Sequence, residues 1–141
     1  MADRICHECG VAMVRDTRPQ AFEYKGQVIT IDQPGWYCTS CGEGLLMPED
    51  MAATDPLFEA FRDHIDGILP PAEIKRIRKK LDLRQKQAGV VLGGGASAFH
   101  KYESGVGKPS LAISNLLRLL DHDPSRLREI TGHQADEARG P

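Results

Sequence analysis

Apolar residues recur with two different periods along this chain, and the change comes near Pro48. Before it, short runs alternate with polar residues, as half-buried strands do. Val11-Ala12-Met13-Val14 alternates weakly, and Ala21-Phe22-Glu23-Tyr24 faces Val28-Ile29-Thr30-Ile31 across Lys25-Gly26-Gln27. A glycine between two such runs is a hairpin signal. Trp36-Tyr37 is a further short strand, so the pattern predicts a small sheet of three or four short strands. A sheet of that size buries too little apolar area to stand without a staple. After Pro48 the steps lengthen: Met51, and then Leu57, Phe58, Phe61, Ile65 and Ile68, mark an amphipathic helical face. Pro56 predicts either one kinked helix or two short ones there. His64 on this helix is expected to be solvated or capping.

Leu69-Pro70-Pro71 is stiff and reads as a linker. Beyond it, helical signals are dense. Ile74, Ile77, Arg78 and Leu81 share one helix, ringed by Lys75, Arg76, Lys79 and Lys80. The next segment, Gln85 to Gly94, carries small residues suited to a close helix crossing and ends in a glycine turn. A short helix is predicted from Gly95 to Gly105, closed by the glycine. Phe99 and Tyr102 would pack inward with Ala88 and Leu92, leaving Ala96, Ser97, His100, Lys101 and Ser104 on the outer face. Ser110 is placed to cap an apolar helix over Leu111 to Leu120. Asp123-Pro124 starts a last short helix with Leu127 and Ile130. The polar residues 134–141 read as a disordered tail. Helix, tight turn and a second helix with a polar outer face form the helix-turn-helix plan for entering a major groove. The simpler alternative is a plain five-helix bundle with no nucleic-acid role.

The chain's four cysteines form two copies of one motif, Cys6-His7-Glu8-Cys9-Gly10 and Cys38-Thr39-Ser40-Cys41-Gly42, with 28 residues between the pairs. Each Cys-x-x-Cys turn offers two thiolates to one ion, and two turns complete a tetrahedral four-sulfur shell. The glycine after each pair suits a turn with positive φ. Disulfides are not expected, because the chain starts Met-Ala-Asp-Arg without an apolar signal segment, which predicts a reducing cytoplasm. A thioredoxin-type redox pair needs a strand before it and a helix after it. Catalytic zinc needs an open position that four cysteines do not leave. The expectation is one structural Zn²⁺ per chain, held by Cys6, Cys9, Cys38 and Cys41.

With 141 residues and a net charge of −2, the chain can hold one ordinary domain or two small ones. No run approaches the ~20 apolar residues of a membrane span. The balance is uneven: residues 1–69 hold five Lys/Arg against twelve Asp/Glu, and residues 70–141 hold thirteen against eight. The split predicts a polyanion as partner of the second half and a basic protein as partner of the first. No paired carboxylates, no Ser/His/Asp set and no open metal site emerge, so no enzyme is expected. Glu49-Asp50 reads as acidic residues favouring a helix start.

Residues 85–105 resemble the lambda-repressor-like (Cro/C1-type) helix-turn-helix family at each spacing. Two departures stand out: Arg84 replaces the usual Ser/Thr cap, and Gly95 replaces the usual serine before the recognition helix. Over residues 4–130 the chain resembles the MqsA (YgiT-type) antitoxin family. Gly35-Trp36-Tyr37-Cys38, Ile77-Arg78-Lys79-Lys80-Leu81, Gly93-Gly94-Gly95 and Ala98-Phe99-x-Lys101-Tyr102-Glu103 carry that resemblance. It implies a type II antitoxin that holds a cognate, basic ribonuclease toxin through its zinc domain. It also implies a C-terminal homodimer that represses its own operon at a palindrome in double-stranded DNA. An Asn and an Arg read bases in that family, and the matching positions here are Ser97 and Lys101. Serine lacks the bidentate amide that suits adenine and lysine lacks the fork that suits guanine, so an altered operator is expected.

The expected architecture is α+β: an N-terminal zinc-bound β-ribbon with a helix in residues 1–69, then an all-α five-helix helix-turn-helix domain in 70–133. Ser97 and Lys101 are expected at base edges, with Gln85, Arg84, Lys86 and His100 at phosphates and Ala96 also on the DNA-facing side. The rival reading is a stand-alone zinc-containing regulator without a toxin, or its variant, a zinc or redox sensor.

Overall fold

The computed structural model describes residues 4–132, so the tail expected at 134–141 lies outside the described residues. The chain divides into two compact units between Arg62 and Asp63. It combines an N-terminal antiparallel sheet with helices, the expected α+β class.

In the first unit, β1 (Met13–Tyr24) and β2 (Gln27–Cys38) pair antiparallel over their whole length, from Met13 opposite Cys38 to Tyr24 opposite Gln27. The turn is two residues, Lys25 at φ 49 and Gly26 at φ 80. Positive φ at both positions gives the twist that lets a two-residue loop join antiparallel strands. A two-residue strand β3 (Gly44–Leu45) adds to the other edge of β2, giving the order β1-β2-β3. The strands are far longer than their apolar runs. Asp16 to Gln20 belong to β1 although the stretch includes an exposed proline and has no apolar alternation. Among the described residues no strand pairs with its outer edge there, the place in a sheet where a proline is tolerated.

Helix α1 (Pro48–Asp66) is one continuous helix with Pro56 inside it. Pro56 is exposed and removes one hydrogen bond, to the carbonyl four residues back. The buried stripe of α1 differs from the one its apolar residues suggest. Met51 and Leu57 are exposed, whereas Asp50 and Thr54 are buried. Thr54 Oγ1 donates to Gln33 Oε1 at 2.7 Å, and Gln33 Nε2 donates to the Asp50 carbonyl at 2.9 Å. The period is helical throughout, but its first two inward positions are polar. From Phe58 onward the face is apolar, with the Phe22 ring centre 4.6 Å from that of Phe58 at a tilt of 48° and 6.2 Å from that of Phe61, edge-on.

The second unit holds α2 (Pro71–Lys80), α3 (Gln85–Leu92), α4 (Ala98–Ser104) and α5 (Leu111–His122). A 3-10 turn, Pro124–Arg126, then leads into helix over 127–132. Asp123 accepts from the Ser125 N–H at 3.2 Å, ahead of Pro124. Ser110 caps α5 by accepting from the Ile113 N–H at 3.1 Å. The core is Ile74, Ile77, Leu81, Ala88, Leu92, Ala98, Phe99, Leu117 and Leu120, with Tyr102 packed against it. Residues before Pro70 also join this unit. The Leu69 N–H donates to the buried Ser114 Oγ at 3.2 Å, Arg118 donates to the Gly67 carbonyl, and Lys108 pairs with Asp63 at 2.9 Å.

Candidate functional site

The two cysteine motifs fold into matching turns. The Cys6 N–H donates to the Val11 carbonyl at 2.9 Å, and the Cys38 N–H donates to the Glu43 carbonyl at 2.8 Å, five residues on in each case. Gly10 and Gly42, one residue past each pair, have φ of 75 and 77, the left-handed conformation a side chain disfavours. In each turn the first cysteine is buried and the second exposed.

All four sulfurs lie within 4.8 Å of one another, with Cys9 and Cys38 3.3 Å apart and Cys6 and Cys41 3.6 Å apart. Four sulfurs bound at about 2.3 Å around a tetrahedral ion stand about 3.8 Å apart, so the cluster fits a four-coordinate thiolate site. The Cys41 and Ser40 backbone N–H groups point at Cys38 Sγ, from 3.5 and 3.4 Å, and hold that thiol down to about 6. The backbone at Glu43 favours the Cys41 thiolate too, yet protons shared with Cys38 and Cys6 push Cys41 up to about 12. A cation would displace those shared protons. It would meet sulfur on all four sides, which makes the site a crosslink with no position left for a reacting water.

Support for the cluster comes from a network the apolar pattern did not mark. Cys6, Met13 and Cys38 form a small core with Trp36 and Leu45 against it. The Arg15 guanidinium lies 5.4 Å from the Trp36 ring centre and that of Arg4 lies 5.9 Å from it. Arg15 also grips Asp50 with two bonds of 2.8 and 3.0 Å, tying the sheet to α1. That contact holds the Asp50 carboxyl below the usual range. Asp50 accepts the Met47 N–H as well, at 2.9 Å, which is the third-residue half of a capping box. Its place three residues into the first helical turn was the available signal.

In the second unit, Gly89 lets α3 and the following turn meet. A Cβ there would stand 1.8 Å from the Gly95 carbonyl oxygen. Gly93, Gly94 and Gly95 have φ of 110, 99 and 97, which keeps the chain out of the helix. Consequently α4 starts at Ala98 rather than at Gly95, with Ser97 as its N-cap. Ala98 and Phe99 enter the core, and Ala96, Ser97, His100, Lys101 and Ser104 are all exposed. On α3, Arg84 is the N-cap and Lys86 is exposed. Arginine has no acceptor for the cap, but Gln87 accepts the Arg84 N–H at 3.0 Å and satisfies the other half of the box. Gln85 hydrogen-bonds Glu103, which helps hold that carboxyl low against the effect of burial.

Among the described residues, no helix is long and apolar enough to cross a membrane. A family model described as the antitoxin component of bacterial toxin-antitoxin systems, MqsA, matches residues 4–131. Antitoxin MqsA of Escherichia coli (strain K12) is 34% identical over 128 residues, covering 89% of this chain and 96% of the relative. With one match running through both the four-cysteine cluster and the glycine-turned helix pair, the chain belongs to the MqsA family of antitoxins.

Proposed function

We propose that this protein is a type II antitoxin that holds a basic ribonuclease toxin through residues 1–69 and represses its own operon through residues 70–133. The observation that carries the reading is the family match across residues 4–131, which takes in both parts at once. Charge supports the division of labour. The first part is acidic, which complements an RNA-cleaving partner, and the second is basic, which suits DNA.

Zn²⁺ is the ion we assign to Cys6, Cys9, Cys38 and Cys41, because four thiolates in a closed tetrahedron suit it. Its contribution is folding energy for a small sheet, and the protein carries out no catalysis. It acts in the cytoplasm, where thiols stay reduced.

Two copies place α4 in successive major grooves of a palindrome, about one helical turn apart. Ser97 and Lys101 face base edges, Ala96 lies on the same DNA-facing side, and Arg84, Lys86, His100 and Gln85 lie toward phosphates. The pairing surface is α5 and the residues after it. There Leu111 and Leu119 are exposed, and a groove of about 200 Å³ is lined by Leu116, Leu119, Leu120 and Ile130 with Arg126 and Glu129 beside them.

The test is genetic and biochemical together. The neighbouring reading frame should encode a small basic protein that arrests growth alone and is neutralised and captured by this chain. A neighbour that arrests nothing and binds nothing would leave a stand-alone zinc-containing regulator in place of an antitoxin.

A further inference from the structure

Val106 is the most exposed of the large hydrophobic side chains among the described residues, at 81%. Its position is set by how α4 ends. Gly105 turns left-handed at φ 81; its N–H donates to the Tyr102 carbonyl at 3.4 Å, and the Val106 N–H donates to the Lys101 carbonyl at 3.1 Å. These are the two bonds of a Schellman motif. The Gly107 N–H donates to the same Lys101 carbonyl at 3.2 Å, and a Cβ on Gly107 would touch the Lys101 Cβ at 3.4 Å.

In this motif an apolar residue at the place of Val106 packs on the helix residue five positions earlier or on the one before it. Here those residues are Lys101 and His100, both exposed and polar. Val106 is thus pinned beside the outer face of α4 by backbone bonds, and 81% of it is left uncovered by the described residues. Its β-branched side chain has few rotamers, so holding it in place costs little entropy on binding. The surroundings suit a polyanion. Between Asp82 and Asp121 the chain has one carboxylate, Glu103, and that group is 5% exposed and paired with Arg78. A protein partner would want a contiguous apolar patch, whereas Val106 is flanked by Gly105, Gly107 and the polar face of α4.

We infer that Val106 is a sequence-reading residue that packs its methyl groups on the 5-methyl of a thymine in the major groove, next to the base pair faced by Lys101. The thymine methyl is the apolar feature on the major-groove edges of the base pairs, and reading it takes an apolar side chain rather than a hydrogen-bonding one. This inference rests on the DNA-binding reading above and adds a base preference that Ser97 and Lys101 cannot supply.

The experiment uses the full chain and a duplex that it selects from a random pool. Each thymine is replaced in turn by uracil, which removes the methyl and nothing else. At one thymine per half-site the unaltered protein should lose about fourfold in affinity, the effect of one buried methyl-sized group. Val106→Ala should bind the thymine duplex about as weakly and be indifferent to uracil at that position. Thermal melting should show the variant folded, since the side chain is exposed. If Val106→Ala binds as tightly as the unaltered protein, or no uracil position distinguishes them, the assignment is overturned. Loss of affinity in Lys101→Ala alongside that result would leave the DNA-binding reading standing and remove Val106 alone. A chain that selects no duplex at all would remove both.

Discussion

Arg78 of α2 and Glu103 of α4 meet in a two-pronged ion pair, Nε to Oε2 at 2.8 Å and Nη2 to Oε1 at 2.9 Å, with side chains 11% and 5% exposed. The third nitrogen, Nη1, donates to the Leu83 carbonyl at 2.8 Å. One side chain therefore joins α2, the turn that follows it and the helix bearing Lys101. The pair is a brace for the orientation of α4, and it spans 25 residues of sequence.

Arg78→Ala should cost about 3–5 kcal/mol, because it leaves a buried carboxylate without its partner. Replacing both members, Arg78→Met with Glu103→Leu, should cost much less, since no charge is then stranded. Chemical denaturation of the three proteins checks the order.

The same pair sets an acid limit. Burial alone would raise the Glu103 carboxyl, but Arg78 and Gln85 more than offset this and leave it below the usual glutamate range. A group with a depressed folded pKa stabilises fully above its unfolded value, about 4.3 for glutamate, and loses that contribution as pH falls through the folded value. Thermal melts between neutral pH and about pH 3 should therefore show a steeper fall for the natural chain than for Glu103→Gln. Equal slopes would mean that Glu103 is not the group responsible.

Gly89→Ala and Gly95→Ala should behave differently although both lie at the turn into α4. At Gly89 the added carbon would meet the Gly95 carbonyl at 1.8 Å, so backbone must move and the second unit should lose about 1–3 kcal/mol or more. At Gly95 there is open space, and the cost is backbone strain at φ 97, roughly 1–3 kcal/mol, with the packing intact. DNA affinity at a temperature where both remain folded should separate them, with Gly89→Ala the weaker binder.

Metal loading should release protons. Backbone N–H groups hold the Cys38 thiol down to about 6, whereas protons shared with neighbouring sulfurs push Cys41 up to about 12, so at neutral pH an incoming ion must displace protons. Affinity should fall as pH is lowered, and a strong chelator should unfold the sheet while leaving the helices of the second unit. Elemental analysis giving one zinc per chain checks the ion, and a pH-indicator titration checks the protons.

Lys101→Ala should weaken binding to the operator by about 1–3 kcal/mol and relax its sequence preference, if the outer face of α4 reads bases. Competition between the selected duplex and mixed-sequence DNA reads both effects. Unchanged discrimination would remove Lys101 from the base edge.

What the sequence made legible was local. Cys-x-x-Cys-Gly twice over is chemistry at fixed short spacing and marks the four sulfurs, although it is the β1–β2 hairpin that brings the two pairs together. Ser110 and Asp123 are caps whose partners lie two or three residues away, and the structure places them as expected. What stayed hidden was non-local or polar. The buried stripe of α1 begins with Asp50 and Thr54, whose partners Arg15 and Gln33 are 35 and 21 residues distant, so no apolar period announces it. Residues 16–20 of β1 are strand because β2 pairs with them, and Thr17 alone in their own composition favours it. The start of α4 moved because three glycines in a row hold positive φ, a backbone preference that a count of outward-facing residues does not register.

Trp36, wedged between two guanidinium groups and the Cys6-Met13-Cys38 core, is also the chain's single tryptophan. Its indole emission is therefore a native optical label confined to the first unit and seated on the metal cluster. Fluorescence should follow loss of the ion and melting of the sheet, while far-ultraviolet circular dichroism follows the helices. Melting of the sheet and melting of the helices can be told apart in one cuvette, with no dye or tag attached.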